Sequence, residues 1–287
     1  MKKGIFSNKW LHGVVSLAVL ITAGSAIYKR TFQKNKFVPT RVILSTNTNP
    51  TYFDFWPIAA KAWEKRIGLK PTLALICDED VEVDESVGEV IRFQPIPGVP
   101  TSLYAQVVRL FLPVMYPDDV CIIGDIDMIP ISKSYYMDRV TDLSDDVFVL
   151  YRDTCYPPDI SWWTIPYIAA KGSTYGEIFG LKSISEIPQL IKKWAAQGYG
   201  WHTDEILMTR CLKQWDAKTK KLVKLGSSDL LLEDGRRIDR GNWQYDADKL
   251  VNEDYYVDCH SIRPYKDHKA EVDKLAAYLG LNDTAAA

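Results

Sequence analysis

VCIIGDIDMIPI (120–131) carries four uninterrupted apolar residues, then a glycine, then two aspartates separated by one isoleucine. A uniformly apolar run of this length fits a central strand covered on both faces. In open α/β sheets ligands gather beyond the carboxyl ends of such strands, where loops diverge and backbone groups are free. Asp125 and Asp127 would stand at that place. Two carboxylates in this alternation can offer oxygens to one divalent ion, directly or through water, and such an ion can bridge diphosphate oxygens.

Working outward, the flanking sequence alternates strand-like and helix-like patterns, which predicts an α/β domain. Upstream, RVILST (41–46), TLALIC (72–77) and IRFQPI (91–96) read as strands. TYFDFWPIAAKAWEKRIG (51–68) reads as one helix with Ile58, Ala62 and Trp63 on a face, and SLYAQVVRLFLPVMY (102–116) as another. Downstream, VFVLYR (147–152) and PYIAA (166–170) are predicted strands around an irregular Trp- and Pro-rich loop. Helices follow over 184–197 and 204–215. LVKLG (222–226) and YYVDCH (255–260) are short strands on either side of the polar stretch EDGRRIDRGNW (233–243), and KAEVDKLAAYLG (269–280) is a small amphipathic helix. No internal repeat is visible, so one catalytic domain over 37–287 with two unequal halves is expected, 37–131 and 132–268, followed by a terminal helix and tail (269–287).

Composition narrows the partners. The 287 residues hold 35 Lys and Arg against 37 Asp and Glu, with 47 % hydrophobic residues, enough for a sizeable core. A net charge of -2 gives no general reason to expect nucleic acid, whose recognition usually needs a basic stripe, and none is expected as a partner. The charge is unevenly placed. Lys2, Lys3, Lys9, Lys29, Arg30, Lys34 and Lys36 make the first 36 residues purely cationic, leaving an acidic remainder. Trp10 to Tyr28 form an uncharged run, WLHGVVSLAVLITAGSAIY, long enough as a helix to span roughly 28 Å. Trp10 and Tyr28 suit interfacial anchors. Residues 1–36 are thus expected to be a single-pass membrane anchor, of the Golgi or another endomembrane in a eukaryote. A cleaved signal peptide with TAGSA at its processing site, giving a secreted protein, is the alternative. Five scattered cysteines show no zinc spacing, and Cys77 and Cys121 read as buried thiols.

TSLYAQVVRLFLPVMYPDDVCIIGDIDMIPI (101–131) resembles the segment of GT-A-fold glycosyltransferases, notably family eight, in which a helix with an Arg-Leu-x-x-Pro-like pattern leads into a hydrophobic strand and the Asp-x-Asp. The resemblance implies a GT-A fold with 37–131 as the nucleotide-sugar-binding half and 132–268 as the acceptor-binding half, a nucleotide-diphosphate sugar donor, in particular a UDP-sugar, Mn²⁺ or Mg²⁺, and transfer to a hydroxyl of a glycan, lipid or protein acceptor. It places Asp125 on the ribose and metal side, makes Asp127 the firmer metal ligand, and sets Arg109 near the diphosphate or against the Asp-x-Asp loop. YYVDCHSIRPY (255–265) resembles the late motif of the same family, so that His260 completes the metal site and Arg263 meets the diphosphate. Arg263 follows His260 more closely than that family's cation does. GYGWHTDEILMTRCL (198–212) is similar to the acidic helix start that presents a catalytic or acceptor-binding carboxylate, either Asp204 or Glu205, with Thr203 as a possible N-cap.

Smaller constellations complete the expectation. Thr46, Asn47 and Thr48 after the first strand and Asp78 after the second occupy places where GT-A domains hold the nucleoside. Trp162, Trp163 and Trp201 could stack on acceptor sugars, and Arg236, Arg237 and Arg240 could meet phosphate or an acidic acceptor, or belong to a solvated hairpin. Two other classes share the Asp-x-Asp. A haloacid-dehalogenase-like phosphatase would use Asp125 as nucleophile, yet that family generally places its aspartates on the first strand and before Thr, whereas here three strands precede and Met128 follows. A non-catalytic sugar-nucleotide-binding domain is the other alternative.

Overall fold

In the computed structural model, residues 35–78, 80–226, 235–251 and 255–282 are described. The proposed anchor at 10–28 lies outside them, and among the described residues no helix is long and apolar enough to cross a membrane. Four of the expected strands line up first: β1 (Pro39–Asn47), β2 (Lys70–Ile76), β3 (Glu89–Phe93) and β4 (Val120–Ile123). β1 pairs in parallel with β2 on one side and β4 on the other, and β3 extends the β2 edge. Beyond β4 come β7 (Ile168–Lys171), antiparallel, then β6 (Phe148–Leu150) and β8 (Leu222–Lys224), giving the order β3-β2-β1-β4-β7-β6-β8.

The core lies on both faces of this sheet. Alternate residues of a strand point to opposite sides, and Val42, Leu44 and Ile122 join a cluster around Trp63 and Tyr136, whereas Ile43, Cys121 and Ile123 join a second around Phe111 and Trp194. Both clusters are closed to solvent, which explains why VCII carries no polar residue at all. Five longer helices build the layers: α1 (Trp56–Ala62), α2 (Thr101–Phe111), α3 (Gly172–Phe179), α4 (Ile187–Ala195) and α5 (Thr203–Thr219). A sixth, α6 (Lys269–Tyr278), closes the chain.

Two expected helices are interrupted by proline. The single helix over 51–68 is instead a short helix Pro50–Phe53, then α1, then a π-helical turn Trp63–Ile67 that Gly68 ends at φ 88°. Pro57 has no N–H and its ring crowds the carbonyl four residues back, so it tolerates only the first turn of a helix. Asn49 caps the first piece, its side chain accepting from Thr51 N at 3.0 Å. The helix over 102–116 ends at Phe111 and tightens to a 3₁₀ turn over Leu112–Met115 that contains Pro113. The polar stretch 233–243 contains a strand, β9 (Arg237–Asp239), which runs parallel to β10 (Asp258–His260). β10 also pairs antiparallel with β5 (Met128–Pro130), so a second, three-stranded sheet begins directly after the Asp-x-Asp.

Candidate active site

β1 and β4 are neighbours from which the sheet continues in opposite directions, β2 following β1 on one side and β6 and β7 following β4 on the other, the arrangement that opens a crevice at their carboxyl ends. A cavity of about 320 Å³ occupies that place. Ser45, Thr46 and Asn47 from β1 form one side, with Ser45 Oγ donating to Ala105 O at 2.6 Å and Asn47 Nδ2 to Thr101 Oγ1 at 3.0 Å. The start of α2 is thereby tied to the end of β1.

Arg109 of α2 is 8 % exposed and reaches into this crevice. It donates to Gly124 O at 3.1 Å, to the Asp125 carboxylate, and to Asp204 Oδ2 at 3.4 Å. These contacts tie the Asp-x-Asp loop to α2 and to the start of α5. Burial raises the Asp125 carboxyl, but the Arg109 guanidinium outweighs it and holds Asp125 below the usual carboxylate range. Asp204, 3 % exposed, is dominated by burial; Arg109 opposes the effect and the Glu205 charge adds to it, and the carboxyl is pushed up to about 7.

Asp127 is 5 % exposed and faces a different set. Its Oδ2 accepts from Arg240 at 3.0 Å, lies 3.4 Å from Arg263 Nη1, and stands 3.7 Å from His260 Nε2. Burial and the neighbouring Asp125 charge push its carboxyl up. His260 reaches it because β10 pairs with β5, setting His260 opposite Met128, one residue beyond Asp127. Asp239 of β9 lies behind the ring, its Oδ2 3.1 Å from His260 Nδ1. A carboxylate can only accept, so Nδ1 carries the proton, and in the neutral ring Nε2 presents its lone pair toward Asp127.

Among the described residues, no group of three or more His, Cys, Asp or Glu side chains is placed to hold a metal ion. The expected triad is thus assembled only as the pair Asp127 and His260, because Asp125 turns to Arg109. The pair nevertheless fits a divalent ion. Two acceptors face each other across 3.7 Å, and a carboxylate behind the imidazole is the usual support of a metal-bound histidine. Mg²⁺ is commonly held by one or two carboxylates together with substrate phosphates, without a complete protein cage.

The remaining expected residues divide. Thr46, Asn47, Arg109, Asp204, Glu205, Trp201 and Arg263 all line the main cavity. Glu205 accepts from Tyr156 Oη at 2.7 Å and sits 3.0 Å from His202 Nδ1, while Trp201 is 62 % exposed at the surface. Thr203 is the first residue of α5 and not its cap; its hydroxyl donates to Gly200 O at 2.8 Å. Asp78 is exposed outside the cavity lining, as is Thr48. Trp162 and Trp163 line a neighbouring cavity that shares Tyr156 and Thr164 with the main one. Of the three arginines near 237, only Arg240 lines the main cavity. Arg237 is buried and paired bidentately with Asp258, both bonds 2.6 Å, and Arg236 donates to Tyr255 O. Tyr52, which accepts from Arg263, and Asp239 had no motif to mark them, since each matters only through a partner distant in the chain.

No family model and no curated protein matches the sequence. Solved structures similar to the chain include the apo bifunctional glycosyltransferase WbbM, at 10 % identity and a TM-score of 0.47 over 83 % of this chain. The chain spans 50 % of that structure's length. The galactosyltransferase LgtC in complex with donor and acceptor sugar analogues matches at 11 % identity and a TM-score of 0.46, over 86 % of this chain and 97 % of its own. An active-site mutant of LgtC matches at 12 % identity and a TM-score of 0.40, over 64 % of this chain and 72 % of its own.

Proposed function

We propose that this chain is a GT-A-type glycosyltransferase that moves a sugar from a nucleotide-diphosphate donor, a UDP-sugar, to a hydroxyl of a glycan, lipid or protein acceptor. The observation that carries this reading is a single cavity in which the Asp127–His260 pair and the guanidinium groups of Arg240 and Arg263 converge, with the buried Asp204 carboxylate one guanidinium away from Asp125. Asp127 and His260 would hold Mn²⁺ or Mg²⁺. When bound, such an ion neutralises diphosphate oxygens and favours departure of the nucleotide. Arg240 and Arg263 supply donors to the same phosphates, Arg263 being steered by Tyr52 beneath its guanidinium. Thr46 and Asn47 stand where the nucleoside would rest.

Asp204 is the carboxylate assigned to the reacting centre, with Glu205 fixed beside it by Tyr156 and His202. In an inverting reaction Asp204 would take the proton of the acceptor hydroxyl as its oxygen attacks the anomeric carbon. In a retaining reaction it would stabilise the cationic sugar centre from the same position. The phosphatase reading is disfavoured by Arg109, which occupies the carboxylate that would have to attack. Residues 1–36 would hold the enzyme at a membrane as a single-pass anchor. The test is turnover of UDP-sugars with and without Mn²⁺. Asp127→Asn is expected to lower transfer on the order of 10²-fold or more, and metal-dependent transfer left intact by that change would overturn the assignment.

A further inference from the structure

We propose that the cavity beside the active site is a subsite for a negatively charged sugar of the acceptor, one bearing a carboxylate or a phosphate. Its volume is about 230 Å³, and Arg152, Lys213 and Lys224 contribute three cations to its lining against the single carboxylate of Asp153. Asp153 is already engaged, accepting from Gly226 N at 2.7 Å. A concave surface with this excess of one sign attracts the opposite charge. The cations also have a fixed platform. Lys213 Nζ stands 5.4 Å and Lys224 Nζ 4.7 Å from the centre of the Trp163 ring, and Lys213 donates to Ser161 O at 2.8 Å. The backbone of Trp163 is anchored, its main-chain N–H donating to Thr209 Oγ1 at 2.9 Å.

Trp162 belongs to the same wall. Trp162 Nε1 is buried without a hydrogen bond among the described residues. The ligand would be continuous with the active site, because Tyr156 and Thr164 line both cavities. Asp204 and Lys213 both belong to α5, nine residues apart, which is about 13.5 Å along the helix axis. That separation exceeds one sugar ring, so the charge is carried by a neighbouring residue of the glycan and not by the sugar whose hydroxyl reacts.

Assignment of this ligand as an acceptor rests on the proposed sugar transfer, whereas its charge preference is measured at equilibrium and without turnover. The full chain is titrated with D-glucuronate, D-glucose 6-phosphate and neutral D-glucose, following tryptophan fluorescence. At least one charged sugar is expected to bind about tenfold or more tightly than glucose, and whichever it is identifies the acid as carboxylate or phosphate. Lys213→Met/Lys224→Met should remove that preference, while Arg263→Met keeps it. Lys213→Gln/Lys224→Gln, at the same exposed positions, should repeat the loss with an unchanged melting temperature. Equal binding of charged and neutral sugars, or a preference abolished by Arg263→Met and retained by the lysine variants, would overturn the inference. Failure of UDP with Mn²⁺ to stabilise the wild-type chain would instead count against sugar transfer and leave the charge preference standing.

Discussion

Arg109 shows how much one side chain can organise. It is buried, carries a guanidinium shared by Asp125 and Asp204, and ties the Asp-x-Asp loop to the start of α5. Replacing it with methionine leaves the buried Asp204 and the half-buried Asp125 without the guanidinium they share, so Arg109→Met is expected to cost about 3–5 kcal/mol of stability, read by denaturant unfolding. Asp204 makes a prediction of unusual sign. Its folded-state value of about 7 lies above that of an unfolded aspartate, so its contribution to stability is full at pH below about 4 and is lost as pH rises through 7. Asp204→Asn should therefore melt a few degrees above the wild type at pH 8, with the difference closing as pH falls toward 4. The same change should lower sugar transfer on the order of 10²-fold or more. A variant that is more stable yet inactive is what a strained site residue produces. If Asp204 acts as base, transfer by the wild type should decline as pH drops through 7, measured at saturating donor and metal.

At the scale of elements, the short strands after the Asp-x-Asp determine whether the site exists at all. β5, β9 and β10 have three residues each, too few to persist on backbone pairing alone, and Arg237 and Asp258 lock β9 to β10 through two buried bonds. Tyr167 adds a third, donating to Asp258 at 3.0 Å. Arg237→Met is expected to destabilise by about 3–5 kcal/mol and to reduce metal-dependent stabilisation by UDP, because Asp239 and His260 sit at the ends of the two strands it joins. Arg237→Met/Asp258→Leu should recover much of the stability, which a comparison of urea midpoints would show. Gly172 offers a control away from the chemistry. A Cβ there would stand 2.1 Å from Tyr116 O and 2.3 Å from Pro113 O, backbone atoms that cannot yield. Gly172→Ala should destabilise by about 1–3 kcal/mol or more, read as a lower urea midpoint, while leaving metal-dependent nucleotide binding measurable.

For the molecule as a whole, the proposed reading predicts linkage. Mn²⁺ and UDP together should raise the melting temperature of the chain more than the effect of either alone, and EDTA should reverse the gain. Legibility in the sequence followed range. Strand β1, the apolar run of β4 and the acidic start of α5 were readable because each is decided by neighbours a few residues away. The continuous helix over 51–68 was misread because apolar spacing outweighed the local effect of Pro57, and β9 was missed because RID looks like solvated loop until Arg237 meets Asp258. Asp78 was placed at the nucleoside site by analogy of position, yet the chain after β2 leaves it outside the cavity lining. By itself the sequence pointed to an α/β chain with a cationic, apolar stretch in its first 36 residues, two carboxylates after a buried strand, and His260 with either Asp204 or Glu205 as companions. Only the tertiary structure decided that Asp125 belongs to Arg109, that Asp127 belongs to His260, Arg240 and Arg263, and that Trp162 and Trp163 line a second cavity. Those choices depend on strand register and on electrostatic competition between residues up to 136 positions apart, as Asp127 and Arg263 are, and no local pattern encodes them.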